Sequence, residues 1–349
     1  MHIANAASTW RGVGVGLLLG VALLNGNTAS GQGCAPSRFN FQGYRGEGDV
    51  ALGRGTWQVA LAYRRFTSNR LIQGGADVGP GTLVKSQSLF TSLTYGASDH
   101  LALTLTVPYS GGSHERQYAD GQRHENTASG LNDISLSANY SLVSAKRPGG
   151  NLGFGLGVKI PSGKNDATGT WWNRDGTTVP FPVHQSIQLG DGGWGMTLSV
   201  AAFQPLSSRF DLHADGAYTL NPKKTTDVRK SPTDSTRVAV PDTWSVGAGV
   251  GVQVWPAQGL SASLEVLVNG TPRRDLLGAA NGDGYRLPAT VGYINPAIQV
   301  TRGVHRFTLG VPLRVYKNFK PSYVEQAAGQ LGGGGLAKYM ILAQYILRF

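Results

Sequence analysis

DISLSANYSLVSAKRPGGNLGFGLGVKI (133–160) holds two segments that change polarity at every residue, joined by a short turn. Ile134, Leu136, Ala138, Tyr140 and Leu142 alternate with Asp133, Ser135, Ser137, Asn139 and Ser141. After the turn, Leu152, Phe154, Leu156, Val158 and Ile160 alternate with Gly153, Gly155, Gly157 and Lys159. Successive side chains on a strand point to opposite faces, so period two means a sheet with one apolar and one polar face.

The same rhythm recurs from Thr56 to the C-terminus. Twelve segments carry it: 56–66, 84–95, 100–109, 131–142, 151–160, 194–204, 209–220, 242–255, 260–270, 288–300, 306–316 and 337–349. Most are close to the roughly 9–11 residues that a tilted strand needs to cross a bilayer. Alternation alone also fits a soluble sandwich, and the connections decide between them. The even-numbered segments are followed by the short links GASD, VSAKRPGG, PLSS, PAQG and TRGVH, whereas the odd-numbered ones are followed by stretches of 17 to 33 residues. An even strand count with strictly alternating short turns and long loops predicts an all-β, antiparallel up-and-down transmembrane barrel of twelve strands. The short turns then face the periplasm, and a sandwich has no reason to keep that rhythm.

The ends of the chain fit an exported barrel. Arg11 and the apolar run VGVGLLLGVALL (13–24) predict a signal peptide over residues 1–31, with cleavage within 28–33. Twelve apolar residues make only about 18 Å of helix, short of a hydrocarbon core of about 30 Å. Gly31, rather than Leu, stands three residues before Cys34, which disfavours a lipid anchor. One cysteine permits no internal disulfide. Residues 32–55 show no period and are read as an irregular segment or plug before a barrel at 56–349. At the other end Tyr339, Ile341, Ala343, Tyr345, Leu347 and Phe349 alternate up to a terminal aromatic, and Phe349 is the expected assembly signal. Trp57, Tyr95, Tyr109, Tyr140, Trp194, Tyr218, Trp244 and Trp255 fall near strand ends, where interfacial girdles place aromatics.

Composition narrows the function. Gly contributes 50 of 349 residues and only 15% are charged, which argues against a helical bundle. The net charge of +11 is dispersed rather than clustered, so no nucleic-acid partner is expected. No catalytic constellation is visible. Of the seven histidines only His213 lies well inside a strand, beside Asp211 and Asp215 on the polar face, and a polar lumen accounts for all three without a metal. No cofactor is expected.

Several stretches resemble an outer-membrane protein family associated with the MetA-pathway of phenol degradation: GTWQVALAYRRFTSNR (55–70), SGLNDISLSANYSL (129–142), LGVKIPSGKNDATG (156–169), QSIQLGDGGWGMTLSV (185–200) and GYINPAIQV (292–300). The resemblance implies an outer-membrane barrel that transports aromatic or other small hydrophobic compounds. The residues themselves predict a passive channel or uptake protein in the cell outer membrane, whose partners are outer-membrane lipid, the barrel assembly machinery and a small-molecule solute. The alternative is a non-transporting barrel whose long loops bind an outside partner, as an adhesin does.

The polar face is rich in Gly, Ser, Thr and Ala, which predicts a narrow pore unless a loop or the N-terminal segment closes it. Arg64, Lys159, Arg314 and Lys338, opposed by Asp133, are expected to line its extracellular mouth and to favour anions weakly. Trp171 and Trp172, adjacent in the longest loop, are candidates for packing on the barrel rim or stacking on a ligand ring. Deleting Phe349, or replacing it with a charged residue, is expected to leave periplasmic aggregates or degradation products. Normal amounts of heat-modifiable protein in purified outer membranes would contradict that reading.

Overall fold

A strand inside a bilayer must hydrogen-bond every backbone N–H and C=O to a neighbour, which an alternating sequence achieves only when the last strand meets the first. The computed structural model describes residues 51–147, 149–277 and 284–349, so the predicted signal peptide, its cleavage site and Cys34 lie outside the described residues. Twelve antiparallel staves form a closed wall. They begin with β1 (Trp57–Gln73), β2 (Ala76–Gly96) and β3 (Leu101–Gln117). The fourth stave is broken into β4 (Arg123–Leu131) and β5 (Ile134–Ser141), and β6 (Asn151–Ile160) follows. A loop hairpin, β7 (Thr168–Trp172) and β8 (Thr178–Pro182), precedes β9 (Gly195–Pro205) and β10 (Phe210–Leu220). A second loop hairpin, β11 (Thr225–Ser231) and β12 (Asp234–Ala239), precedes β13 (Thr243–Trp255), β14 (Leu260–Thr271) and β15 (Ala289–Arg302). The last two staves are β16 (His305–Gly310) with β17 (Leu313–Phe319), and β18 (Gly333–Gly335) with β19 (Met340–Arg348). Between them lies the one-turn helix α1 (Tyr323–Ala327), capped reciprocally by Ser322 and Glu325.

Closure is made by β19 against β1, in register from Gln58 opposite Arg348 to Phe66 opposite Met340. At the periplasmic end the Trp57 N–H donates to the Phe349 carbonyl at 2.7 Å, and the Phe349 N–H donates back to Trp57 at 2.9 Å. The short links at 97–100, 142–147 with 149–150, 206–209, 256–259 and 303–304 lie at that same end. Residues 51–55 dock there too: Gly55 N–H donates to Gly96 O at 2.8 Å, and Arg54 N–H to Asp99 Oδ1 at 3.2 Å.

The two faces follow the predicted parity. Leu103 is 46% exposed and Leu156 53%, facing lipid, while Ala60, Ala62 and Ser88 on neighbouring strands are buried in the interior. On β1 the outward apolar run of Trp57, Val59, Leu61 and Tyr63 ends at exposed Arg65. About eight residues of tilted strand give a belt on the order of 20 Å, near the ~25 Å expected of such barrels. Trp57 and Tyr95 touch at the periplasmic rim, their ring centroids 4.6 Å apart, and Tyr218 opposes Trp244 near the other rim.

Three staves or pairs of staves differ from the sequence expectation. The first predicted loop, 67–83, is instead a continuation of β1 and β2, which turn tightly at Gly74 and Gly75 with Gly74 at φ 56°. Above the membrane the outward face of that hairpin turns polar, with Arg65, Thr67, Asn69, Lys85 and Gln87 exposed, so the apolar alternation that marks a lipid-facing strand stops at Tyr63 and Leu89 although the strands do not. The third stave likewise runs on to Gln117, and its partner resumes as β4 beyond a break at Asn132 and Asp133. The eleventh stave is interrupted at Val311 and Pro312, where proline lacks the N–H that a ladder needs.

Leu103→Arg and Leu156→Arg are each expected to destabilise the folded barrel by about 2–4 kcal/mol, since the charge enters the lipid-facing band. Thr104→Arg, one position along, should instead enter the lumen with a much smaller loss. Urea unfolding in lipid bilayers measures both, and equal losses would contradict the assigned faces.

Candidate functional site

The lumen is built from the inward-facing half of every stave, and its two sides differ. On β2, β3, β9 and β10 small hydroxyls pair laterally across strands: Ser92 with Thr106 at 2.9 Å, Thr94 with Thr104 at 3.0 Å, and Thr197 with Thr219 at 2.9 Å. From the first half of β10 round to β15 the lining is instead charged or amide-bearing, with Asp211, His213, Asp215, Glu265 and Asn295, and Asn295 Nδ2 donates to Glu265 at 3.1 Å. The inward glycines are not gaps. A Cβ on Gly249 would lie 2.5 Å from His213 Nε2, and one on Gly155 would lie 2.2 Å from Ser199 Oγ. Neighbouring side chains therefore lean over the glycines and occupy the space that glycine content suggested would be open. No three His, Cys, Asp or Glu side chains are arranged to hold a metal among the described residues.

The extracellular half is filled by loops. Phe66, Val84, Val291, Tyr293, Met340 and Leu342 from the wall pack with Val183, Ile187, Leu287 and Leu336 from three loops in one buried apolar cluster. Each of those loop side chains gains about 1.5–3 kcal/mol from burial, enough to hold a loop inside the barrel. Buried polar contacts fix the other loops. Arg286 meets Asp275 through two parallel bonds of 2.7 Å, and Asp242 accepts from Asn221 N–H at 2.7 Å, Tyr218 Oη at 2.9 Å and Leu276 N–H at 3.0 Å.

The residues predicted for the mouth take several positions in this packing. Asp133, at the break in the fourth stave, accepts from Gly163 N–H at 3.0 Å and from Asp191 N–H at 3.2 Å. Lys159 forms an ion pair with Asp191. These two, on neighbouring staves, therefore meet at one loop segment, 183–191, and tie it to the wall. Arg64 is only 3% exposed; it donates to Ser88 Oγ at 3.2 Å and its guanidinium lies 5.3 Å from the Phe90 ring centroid. Arg314 donates to Leu336 O at 2.7 Å, and its N–H donates to the carbonyl of Lys338, whose residue is exposed. Trp172 stacks on His124 at 4.1 Å between centroids, a packing role, whereas its neighbour Trp171 lines a cleft between the extracellular loops. Phe349 closes the seam described above.

Two cavities flank segment 183–191. The outer cleft encloses about 800 Å³ counting the part open to solvent, and Gly190 and Asp191 form part of its floor. The inner one, about 740 Å³ counted the same way, is lined by Phe90, Asp133, Lys159, Leu189, Asp191 and Thr219 among others. Sequence reading missed this partition, although the signal was present: Val183, Ile187 and Leu189 are apolar side chains in a loop otherwise read as solvated. It also missed the stacked pair of His114 and His184, 4.2 Å apart on the extracellular side. Burial, reinforced by the positive charge of Arg116, lowers the His114 pKa to about 3; burial and the neighbouring His114 and Arg116 lower that of His184 well below the usual histidine value. The pair is therefore neutral at physiological pH, and the imidazoles can stack without repulsion.

Residues 42–240 match the family described as "Putative MetA-pathway of phenol degradation". No curated protein matches the chain in sequence. Among solved structures, an outer-membrane channel from Pseudomonas putida F1 is 16% identical with a TM-score of 0.60, covering 88% of this chain and 100% of that one. The β-domain of the Bordetella autotransporter BrkA is 13% identical with a TM-score of 0.46, covering 86% of this chain and 100% of its own. The first likeness bears on the fold, an outer-membrane barrel with the architecture derived above. With more than half of its length matched and its wall folded in that way, the chain belongs to the family of the MetA-pathway of phenol degradation.

Proposed function

We propose that the protein is a passive outer-membrane channel for small molecules, whose route runs from the outer cleft past segment 183–191 into the polar lumen. The observation that supports this most is the partition itself. One loop segment separates two cavities, and Asp191 lines both. A small displacement of that segment joins them, whereas a plug that filled the barrel would have to leave it. Lys159 and Asp133 hold the partition in place, and Arg64, Arg314 and Lys338, on the first, eleventh and twelfth staves, add positive charge to the extracellular half of the barrel. The family's pathway and the aromatic side chains of the outer cleft support small aromatic compounds as solutes. No energy source is needed, because passage follows the concentration gradient. The terminal strand, ending in Phe349, is the part we assign to recognition by the barrel assembly machinery.

Purified folded protein in planar bilayers should show discrete conductance steps, and liposomes carrying it should admit small aromatic solutes. Asp191→Ala removes the partner of Lys159 and should raise the conductance or the open fraction severalfold. Folded protein with neither conductance nor flux would overturn the channel reading and favour a barrel whose loops bind an outside partner.

A further inference from the structure

The outer cleft carries more chemistry than a passive entrance requires. Arg116 lies on the extracellular part of β3, and its guanidinium is held between two rings, 4.5 Å from the centroid of Tyr118 and 4.6 Å from that of Trp171. Those rings fix the guanidinium plane without neutralising it. No carboxylate pairs with Arg116 among the described residues, and its Nε is buried without a hydrogen-bond partner. The neighbouring histidines add no charge at neutral pH. Gln185, on the same wall, has both its amide oxygen and its amide nitrogen buried without partners. A buried donor or acceptor left unmade is costly, so orphaned groups of both kinds lining one cleft with an unpaired guanidinium suit a ligand that completes them. On the facing wall Lys230 lies 4.6 Å from the ring centroid of Tyr285. Its nearest carboxylate, Asp234, is 3.9 Å away, a weak and partly exposed pair.

We infer that this cleft is a binding site for a small organic anion, a carboxylate attached to a planar ring, captured before it enters the channel. The planar fork of Arg116 matches a carboxylate through two parallel bonds, and the Gln185 amide completes that ligand shell. Trp171 and Tyr285 supply faces against which a flat ring packs, and Lys230 adds long-range attraction from the opposite wall. A single unpaired fork with aromatic walls fits a monoanion with a ring better than a compact phosphate, which draws on several cations. The cleft opens to solvent, so a one-ring acid can enter it with its ring between these walls.

The inference names a solute class for the channel proposed above and rests on that reading for its role, but binding is measured without passage. Isothermal titration calorimetry of the full, folded protein in detergent with benzoate, benzyl alcohol, acetate and inorganic phosphate tests it. Benzoate should bind at least tenfold more tightly than the ringless acetate and the uncharged benzyl alcohol. Arg116→Gln should weaken benzoate at least tenfold and Gln185→Leu about threefold, while Arg147→Gln, on a periplasmic turn, should change nothing. If Arg116→Gln lacks the heat-modifiable mobility of a folded barrel, Lys230→Gln serves in its place with an expected loss of about threefold. Unchanged benzoate affinity in the folded variants, or benzyl alcohol binding as tightly as benzoate, would overturn the site. Phosphate binding as tightly as benzoate would also overturn it, pointing to a phosphorylated headgroup. Benzoate bound as expected but excluded from liposomes would leave the site standing and remove the channel.

Discussion

Backbone hydrogen bonding in a medium without water is the constraint on which the whole molecule depends. Inside lipid an open sheet edge has no solvent to satisfy it, so the β1–β19 seam is obligatory and fixes the number and direction of all the staves between. Period two then follows, since each strand faces lipid on one side and lumen on the other. The short periplasmic turns, the aromatic rims and the meeting of Trp57 with Phe349 are consequences of closing one sheet around a polar interior.

Closure also creates the volume that the loops must deal with. A twelve-stave barrel is too wide for wall side chains alone to fill it in the manner of smaller barrels. The wall divides the task by height. Toward the periplasm, Ser, Thr and Asn side chains bond to one another and lean over the glycines. Toward the outside, Val183, Ile187, Leu287 and Leu336 bring an apolar cluster from the loops into the barrel. The polar tether of Asp133 and Lys159 to segment 183–191 sits where those two fillings meet, with a cavity on either side. Segment 183–191 is thus held at one end by Val183 and Ile187 in the apolar cluster and at the other by the polar tether at Asp191.

Much of the wall was legible in the sequence because the bilayer imposes a simple rule. Leu103 and Leu156 face lipid, and Thr104 faces the lumen, as the alternation of their segments requires. The rule fails where lipid ends: Thr67 to Leu83 continue as strand with a polar outward face, so no lipid-facing period marks them. The site was less legible. Lys159 and Asp133 could be placed on the inner face by parity, but their partner Asp191 lies in a loop far along the chain, and no local pattern announces that pairing. Arg116 was invisible for the same reason: Tyr118 is its near neighbour in the chain, but Trp171, the ring on its other side, comes from a loop hairpin more than fifty residues on. The glycine content gave the opposite sense to the packing: a residue without a side chain reads as empty space, yet His213 fills the place beside Gly249.

If segment 183–191 divides the route through the barrel, locking it covalently to the wall should close the channel. Asp133 Oδ2 lies 3.2 Å from Asp191 N, which brings the two stretches of chain near the separation that a disulfide spans. In a Cys34→Ser background, Asp133→Cys with Asp191→Cys should form a bridge on oxidation. Single-channel conductance of the same preparation before and after reduction is the measurement. The account predicts low conductance when the bridge is formed and a clear rise when it is reduced. Equal conductance in the two states, with the bridge confirmed by mass spectrometry, would contradict it.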